Sequence, residues 1–508
     1  MGAEIEQVDV LVVGAGLSGI GAAAQVRERL PGLSVVVLEA RAASGGTWDL
    51  FRYPGIRSDS DMFTFGYRWR PWPGEVALAD GQMILDYLRT VAEEYDVDRL
   101  IRYRHRVTAA AWDSTEKRWC LTVTTPEGER RLAARFLWNC SGYYDYEQGH
   151  QPTWDGMADF EGTLVHPQHW PEELDYADKS VVVIGSGATA VTLVPAMASG
   201  DGRAAQVVML QRSPSYILSR PGRDPLARLL SGTLGRLPKA GPLGRLAGGA
   251  IFESTRWANI MLTIGSYQLA RKSPGVVRRM VRDSTRKLLT RRGEGPGFGA
   301  EEAEALVSEH FTPSYDPWDQ RLCFVPDGDL FAAMREGRAS VVTDRIKTFT
   351  AKGIELESGR TLEADIVVSA TGLRIKLFGG IELSVDGESV RLPETMSYKA
   401  LMLSGVPNFA YTIGYTNASW TLKADLVSDY VCRLLAHMDS RGYREARVER
   451  DPAVGERPFM DLASGYIQRA LDLMPAQGDR APWRLKQNYL TDLRVMGRPV
   501  DDGVLRFS

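Results

Sequence analysis

The stretch that decides the fold is VDVLVVGAGLSGIGAAAQVRERL, residues 8–30. Residues 8–13 are a β-branched run of the kind that forms a buried parallel strand. Gly14-Ala15-Gly16-Leu17-Ser18-Gly19 closes it at once, and IGAAAQVRERL continues as a helix. In such a unit Gly14 makes the turn, Gly16 lets backbone approach a pyrophosphate, and Gly19 lets helix pack on strand, with the helix N-terminus facing the anion. The next strand, SVVVLE, ends at Glu39, twenty residues past Gly19. A carboxylate there can accept hydrogen bonds from both ribose hydroxyls, so an adenosine diphosphate group is expected.

The pattern repeats once. SVVVI, residues 180–184, is followed by Gly185-Ser186-Gly187-Ala188-Thr189-Ala190 and by a helix-like VTLVPAMA. Ala190 replaces the last glycine, a position that asks only for close packing. The following strand, QVVMLQ, ends in Arg212 and Ser213 instead of an acid. A guanidinium can grip a 2'-phosphate in bidentate fashion and a hydroxyl can donate one more bond, so these two residues favour NADPH over NADH. Two dinucleotide sites in one chain describe a flavin that takes hydride from a nicotinamide.

Composition narrows the class. The 508 residues are 44% hydrophobic and 25% charged, with a formal charge of -3, as in ordinary globular chains. Neither a nucleic-acid partner nor a disordered chain is expected. Four cysteines, Cys120, Cys140, Cys323 and Cys432, stand far apart. That excludes a paired-cysteine dithiol reductase, and no metal site is expected. The opening MGAEIEQVDV has no basic-then-apolar leader, and no run of 18 uncharged apolar residues occurs. A cytoplasmic location is the expectation.

Gly45-Gly46-Thr47-Trp48, Arg52-Tyr53-Pro54-Gly55 and Arg57-Ser58-Asp59-Ser60-Asp61 follow the first turn. Stiff aromatics and prolines beside flexible glycines suit a loop that holds a planar ring, and by themselves suit any ordered surface loop as well. Between the two turns stands FEGTLVHPQHWP, residues 160–171, in which Phe160, Gly162, His166, Trp170 and Pro171 satisfy F-x-G-x-x-x-H-x-x-x-W-P. On these segments the chain resembles the flavin-dependent Baeyer-Villiger monooxygenases, whose fingerprint lies in the same place, just ahead of the second strand and turn. Residues 315–323 (YDPWDQRLC), 326–331 (PDGDLF), 405–409 (GVPNF) and 414–420 (GYTNASW) are similar to a bacterial subgroup that also oxidises sulfur compounds. DIVVS and the following ATG, residues 365–372, resemble the family's return crossing between domains.

The resemblance implies FAD and NADPH as cofactors, and O2 with a ketone as substrates. One oxygen atom would be inserted next to the carbonyl to give an ester or lactone, by way of a peroxide on the reduced flavin, with the oxidised nicotinamide still bound. It places Gly46, Thr47 and Trp48 at the flavin, with the 405–420 segments lining it late in the chain. Arg321 becomes the arginine beside the flavin, and Asp59 the carboxylate that holds it. A guanidinium suits that task, because it keeps its charge in a dry pocket where a lysine can lose its proton. Gln320 stands where many relatives carry a lysine for the 2'-phosphate, which leaves that grip to Arg212.

Alternatives stand beside this reading. A protonated oxygen donor would attack sulfur or nitrogen instead, and a flavin-binding module without turnover would share the same loops. The lesser alternative for Arg321 and Asp59 is a structural pair between domains. Phe160, Gly162, His166 and Trp170 are either a hinge coupling domain rotation to cofactor position or a satisfied histidine and a packed tryptophan.

The expected fold class is α/β, with two doubly wound dinucleotide-binding units and a helical insertion. Residues 1–150 form the first part of an FAD-binding domain, 151–219 the first part of an NADPH-binding domain, and 220–300 the insertion. Residues 301–374 complete the NADPH domain and 375–508 the FAD domain. Residues 220–295 carry sixteen basic and four acidic side chains. Three roles fit that excess: a solvated cap over the substrate pocket, a funnel for phosphates, or a face resting peripherally on anionic lipid. Substrate identity and oligomeric state are not legible in the sequence.

Overall fold

The valine run becomes the strand Glu6–Val13 near the middle of a nine-stranded sheet. In this computed structural model the described residues are 5–234, 242–291, 297–460 and 462–508, so part of the 220–300 span, including Arg236, Lys239 and Arg292, lies outside them. Val10 and Val12 pair in parallel with Val35 and Val37 on one side, and with Phe136 and Trp138 on the other. The helix Leu17–Arg29 lies between this sheet and the helix Trp420–Arg441, and its residues 17–26 are all buried. Strands Glu382–Val385 and Phe409–Tyr411 join the same sheet from more than two hundred residues further on. The sheet is not wholly parallel: Arg106–Asp113, Arg118–Thr125 and Gly128–Asn139 form an antiparallel meander. Alternating burial along Arg118–Thr125 fits a strand with one face in the core.

The second glycine turn belongs to a separate five-stranded sheet. Its order is Ala339–Thr343, Gln206–Gln211, Ser180–Ile184, Ile366–Ser369, Thr163–Val165, and every pair is parallel. The helix Ala188–Met197 covers one face of it, with Ala190 fully buried as close packing requires.

Within 220–300 the described residues form helices Pro225–Leu234, Pro242–Lys272 and Pro274–Thr290. One buried side chain of the long middle helix reaches three groups of the first sheet's helices and of the turn after them. Arg256, 1% exposed, donates to the carbonyls of Phe63 and Gly66 at 2.9 Å and to Asp425 at 3.2 Å. Burial pushes the Asp425 carboxyl up to about 6 even with this guanidinium beside it.

Arg256→Ala is expected to destabilise the chain by roughly 3–5 kcal/mol, because it leaves a buried carboxylate and two carbonyls without their donor. Asp425 titrates above its unfolded value, so its charged form is the costly one. Losing Arg256 raises it further, so the deficit relative to the parent should be largest above the variant's higher value, shrink as the pH falls toward about 6 and level off below it, read as thermal midpoints across pH.

Candidate active site

At the first turn the backbone is packed too tightly for side chains. Gly14 has φ +98°, and a Cβ there would lie 2.8 Å from the Cys140 carbonyl oxygen; one on Gly19 would lie 1.8 Å from that of Gly14. Gly16 caps the helix Leu17–Arg29 with no side-chain partner at that end, and its Cβ position faces the Gly46 backbone at 3.4 Å. Gly16 and Gly46 thus flank a cleft that opens into a cavity of about 270 Å³. The cavity is lined by Gly14, Gly16, Glu39, Arg41, Gly46, Thr47 and Trp48, and further in by Tyr143, Tyr144, Arg321 and Trp420. Bare helix N–H groups, a cleft that side chains would fill, and apolar walls from Val13, Leu38 and Phe65 fit a dinucleotide carrying a planar ring.

Glu39 is where the sequence places it, with a local role besides. It is buried, and its two carboxylate oxygens accept from the Ala15 and Arg41 N–H groups, both at 2.8 Å. Each oxygen keeps a second lone pair for a ligand hydroxyl. Thr47 Oγ1 is 3.0 Å from the Tyr146 hydroxyl, and Trp48 packs edge-on to Phe65. Arg41 escaped the sequence reading. It donates to the Gly46 carbonyl and to the buried Asp49, which also draws in Arg89 and Arg52.

The second turn is built alike and left more open. Gly185 has φ +136° and a Cβ there would meet the Ala370 carbonyl oxygen at 2.4 Å, whereas nothing stands within 4 Å of the Cβ position of Gly187. Arg212 and Ser213 lie exposed after the strand Gln206–Gln211, and among the described residues Arg212 makes no ion pair. Gln211, just before them, is buried and donates to His310 O and Thr343 Oγ1.

Arg321 lines the cavity of the first turn, and Cys323, two residues on, touches the second. Arg321 Nη2 donates to Asp59 Oδ1 at 3.0 Å, and that carboxylate holds the guanidinium above its ordinary range. Tyr143, Tyr144 and Tyr466 surround it, with the Tyr143 and Tyr144 hydroxyls 3.1 Å apart. Burial raises all three phenols, so they stay neutral. Tyr143 stacks on Trp420, whose indole N–H donates to Ser18 Oγ at 2.8 Å. On the other side, Cys323 Sγ approaches the Ser186 carbonyl of the second turn, and the Tyr53 side chain lies beside Thr189. Arg57 pairs with Asp329 at 2.7 Å and leaves Nε and Nη2 buried without a partner. Residues 405–409 do not line the cavity; Asn408 and Phe409 pair with Leu137 in the first sheet.

The loop carrying Arg321 is held by the helices of the 220–300 span. Arg271 pairs with Asp319 at 2.7 Å, Arg278 with Asp316 at 2.8 Å, and Tyr267 packs edge-on to Trp318. No signal in the sequence marks these partners, because each pair joins segments far apart in the chain.

The fingerprint segment lines neither turn. Phe160 packs edge-on to Phe349, and a Cβ on Gly162 would strike the Phe160 ring and the Asp365 carbonyl. His166 is half-buried against Gly149, and its Nδ1 accepts from the Gln168 N–H at 3.2 Å. Gln168 in turn donates to Asp145 O, so the segment fixes the Tyr144–Gly149 strand, which brings Tyr144 and Tyr146 to the cavity, against the edge of the five-stranded sheet. Trp170 is half-buried against that sheet's core. Among the described residues no three His, Cys, Asp or Glu side chains gather to hold a metal.

Residues 12–71 match an NAD(P)-binding Rossmann-like domain and residues 72–227 a flavin-binding monooxygenase-like family. The chain is 50% identical over 505 residues to the FAD-containing monooxygenase EthA of Mycobacterium tuberculosis, covering 99% of this chain and 98% of that one. It is 46% identical to the probable FAD-binding monooxygenase AlmA of Acinetobacter baylyi, covering 99% and 96%. Among solved structures, an oxidized steroid monooxygenase bound to NADP superposes with a TM-score of 0.72 at 24% identity, over 99% of each chain. A cyclohexanone monooxygenase bound to ε-caprolactone gives 0.71 at 20% identity, over 99% of this chain and 100% of that one. These two likenesses establish the shared fold.

Gly149→Ala is expected to expel the His166 ring, since the added methyl would lie 2.0 Å from His166 Cε1, and to lower the thermal midpoint by several degrees. Burial holds His166 below its usual 6.5, so its contribution to stability is full above that pH and is lost as the pH falls through the depressed value. His166→Gln should flatten the loss of stability on acidification; His150 and His310, also depressed by burial, would supply what slope remains.

Proposed function

Because this chain belongs to the flavin-binding monooxygenase-like family and uses FAD and NADPH, we propose that it inserts one oxygen atom of O2 beside a ketone carbonyl to give an ester or lactone. The observation that carries this reading is the Arg321 guanidinium, backed by Asp59 and lining the cavity that opens from the first glycine turn. FAD bound there and reduced by NADPH supplies the activation of O2. In this reading residues 1–150 and 375–508 hold FAD, with Gly14, Gly16, Gly19 and Glu39 at the adenosine diphosphate and Gly46, Thr47 and Trp48 toward the ring. Residues 151–374 hold NADPH through Gly185, Gly187, Ala190, Arg212 and Ser213, with 220–300 as their helical insertion.

Arg321 offers fixed positive charge to the oxygen that becomes anionic when a carbonyl is attacked. Such a donor is strongest where water is excluded and its position is already set. Asp59 and the loop contacts to Arg271 and Arg278 keep it in place. Phe160, Gly162, His166 and Trp170 act on the site through the Tyr144–Gly149 strand and serve as the hinge between the two sheets.

A second reading, oxygen transfer to sulfur or nitrogen, draws on the neutral hydroxyls of Tyr143, Tyr144 and Tyr466. A hydroxyl that keeps the donated oxygen protonated favours attack by a soft lone pair over addition to a carbonyl. Among the described residues no helix is long and apolar enough to cross a membrane.

Supplying NADPH, isotopically labelled O2, and a ketone and a thioether together should yield one labelled oxygen atom in an ester or lactone. Labelled sulfoxide alone overturns the ketone reading in favour of the second. Arg321→Ala should keep NADPH-dependent flavin reduction and lose labelled product by about a hundredfold or more; undiminished oxygenation would remove Arg321 from this role.

A further inference from the structure

Apart from the buried Arg256, the described arginine and lysine side chains of the two longer insertion helices divide into two sets. Arg271, Arg278, Arg282 and Arg286 turn toward carboxylates: Asp319, Asp316, Glu304, and Asp283 with Glu304. Lys272, Arg279 and Lys287 are exposed and form no ion pair among the described residues. These three share their helix faces with apolar side chains that also face water. On Pro242–Lys272 the exposed residues Ala258, Met261, Leu262, Gly265, Leu269 and Lys272 recur at helical spacing, opposite the buried Arg256, Ile260 and Ala270. On Pro274–Thr290 the exposed arc is Val276, Arg279, Met280 and Lys287, with Asp283 on it committed to Arg286.

Met261, Leu262, Leu269, Val276 and Met280 are each 42% to 62% exposed. They make up half of the large apolar side chains left in water among the described residues, and all five fall within twenty residues of one another. Scattered exposure needs no explanation, whereas a concentration on two successive helices marks a contact surface. The charge on it selects the partner. A two-fold contact with a second copy would set Lys272, Arg279 and Lys287 against themselves, with no free carboxylate on these arcs among the described residues to answer them. An anionic bilayer surface satisfies both features, taking the apolar residues at the acyl boundary and the cations at the phosphates.

We propose that this face of the helices Pro242–Lys272 and Pro274–Thr290 rests on the surface of an anionic membrane, lying in the interface without crossing it. The unpaired cations give attraction and orientation, and the five apolar side chains give the part of the affinity that salt does not screen. This attachment is independent of which substrate the cavity oxidises.

The test is co-flotation of the purified full-length protein, loaded with FAD, with three kinds of vesicle: phosphatidylglycerol in phosphatidylcholine, phosphatidylcholine alone, and the mixed vesicles in high salt. Binding to the mixed vesicles is expected, weakened by salt and at least about tenfold weaker without the anionic lipid. The double variants K272E/R279E and M261S/L262S should each lower partitioning by about tenfold or more while NADPH oxidation in solution stays at the parental rate. Absence of binding to anionic vesicles, equal binding to neutral ones, or binding that neither variant changes would each overturn the proposal. So would a parental chain that runs as a dimer and loses both dimerisation and flotation in M261S/L262S, since the apolar stripe would then belong to a second copy.

Discussion

Everything near the cavity is arranged around one ion pair whose members are 262 residues apart in the chain: Arg321 and Asp59, at 3.0 Å. A pair of this kind holds its place only if both backbones are fixed independently. Asp59 belongs to a segment that leaves the first glycine turn, crosses to the second sheet, where Gly55 packs on Thr192 and Ala196, and returns. Arg321 belongs to a loop clamped by Arg271, Arg278 and Tyr267 from the insertion. Segments of the two sheets and of the 220–300 helices therefore converge on this contact, with Arg57–Asp329 beside it. Any change in their relative position alters the direction in which the guanidinium points.

What the sequence discloses is what short-range rules govern. Valine runs, glycines at fixed offsets and a terminal Glu39 are read within forty residues, and the structure carries each as strand, turn or buried carboxylate. The α/β class with two glycine-turn units is legible for the same reason. The antiparallel meander inside the first sheet is less so, because alternating strands do not announce which neighbour they choose. The contacts made by Arg41, Tyr143, Tyr144, Tyr466 and Arg256 were invisible. Each is an ordinary residue whose significance comes from a partner brought near by folding, and one chain without relatives aligned to it gives no trace of such pairs.

The basic excess of residues 220–295 is a sharper lesson. Counting charges treats every cation as facing solvent, whereas the folded helices sort them by face. Arg271, Arg278, Arg282 and Arg286 are absorbed by nearby carboxylates, the first two of them positioning the Arg321 loop, so the count alone overstates the outward charge. The local periodicity of exposed and buried residues, not the total, decides what the surface can meet.

The first sheet takes strands from both ends of the chain, Glu6–Val13 and its neighbours early, Glu382–Val385 and Phe409–Tyr411 late, while the five-stranded sheet is complete between Thr163 and Ser369. During synthesis on the ribosome the inner unit can therefore close on itself first. The outer unit must wait with open edges along Arg106–Asp113 and beside residues 137–139 until the last quarter of the polypeptide has emerged, which makes those edges the stretches most in need of chaperone cover in a nascent chain.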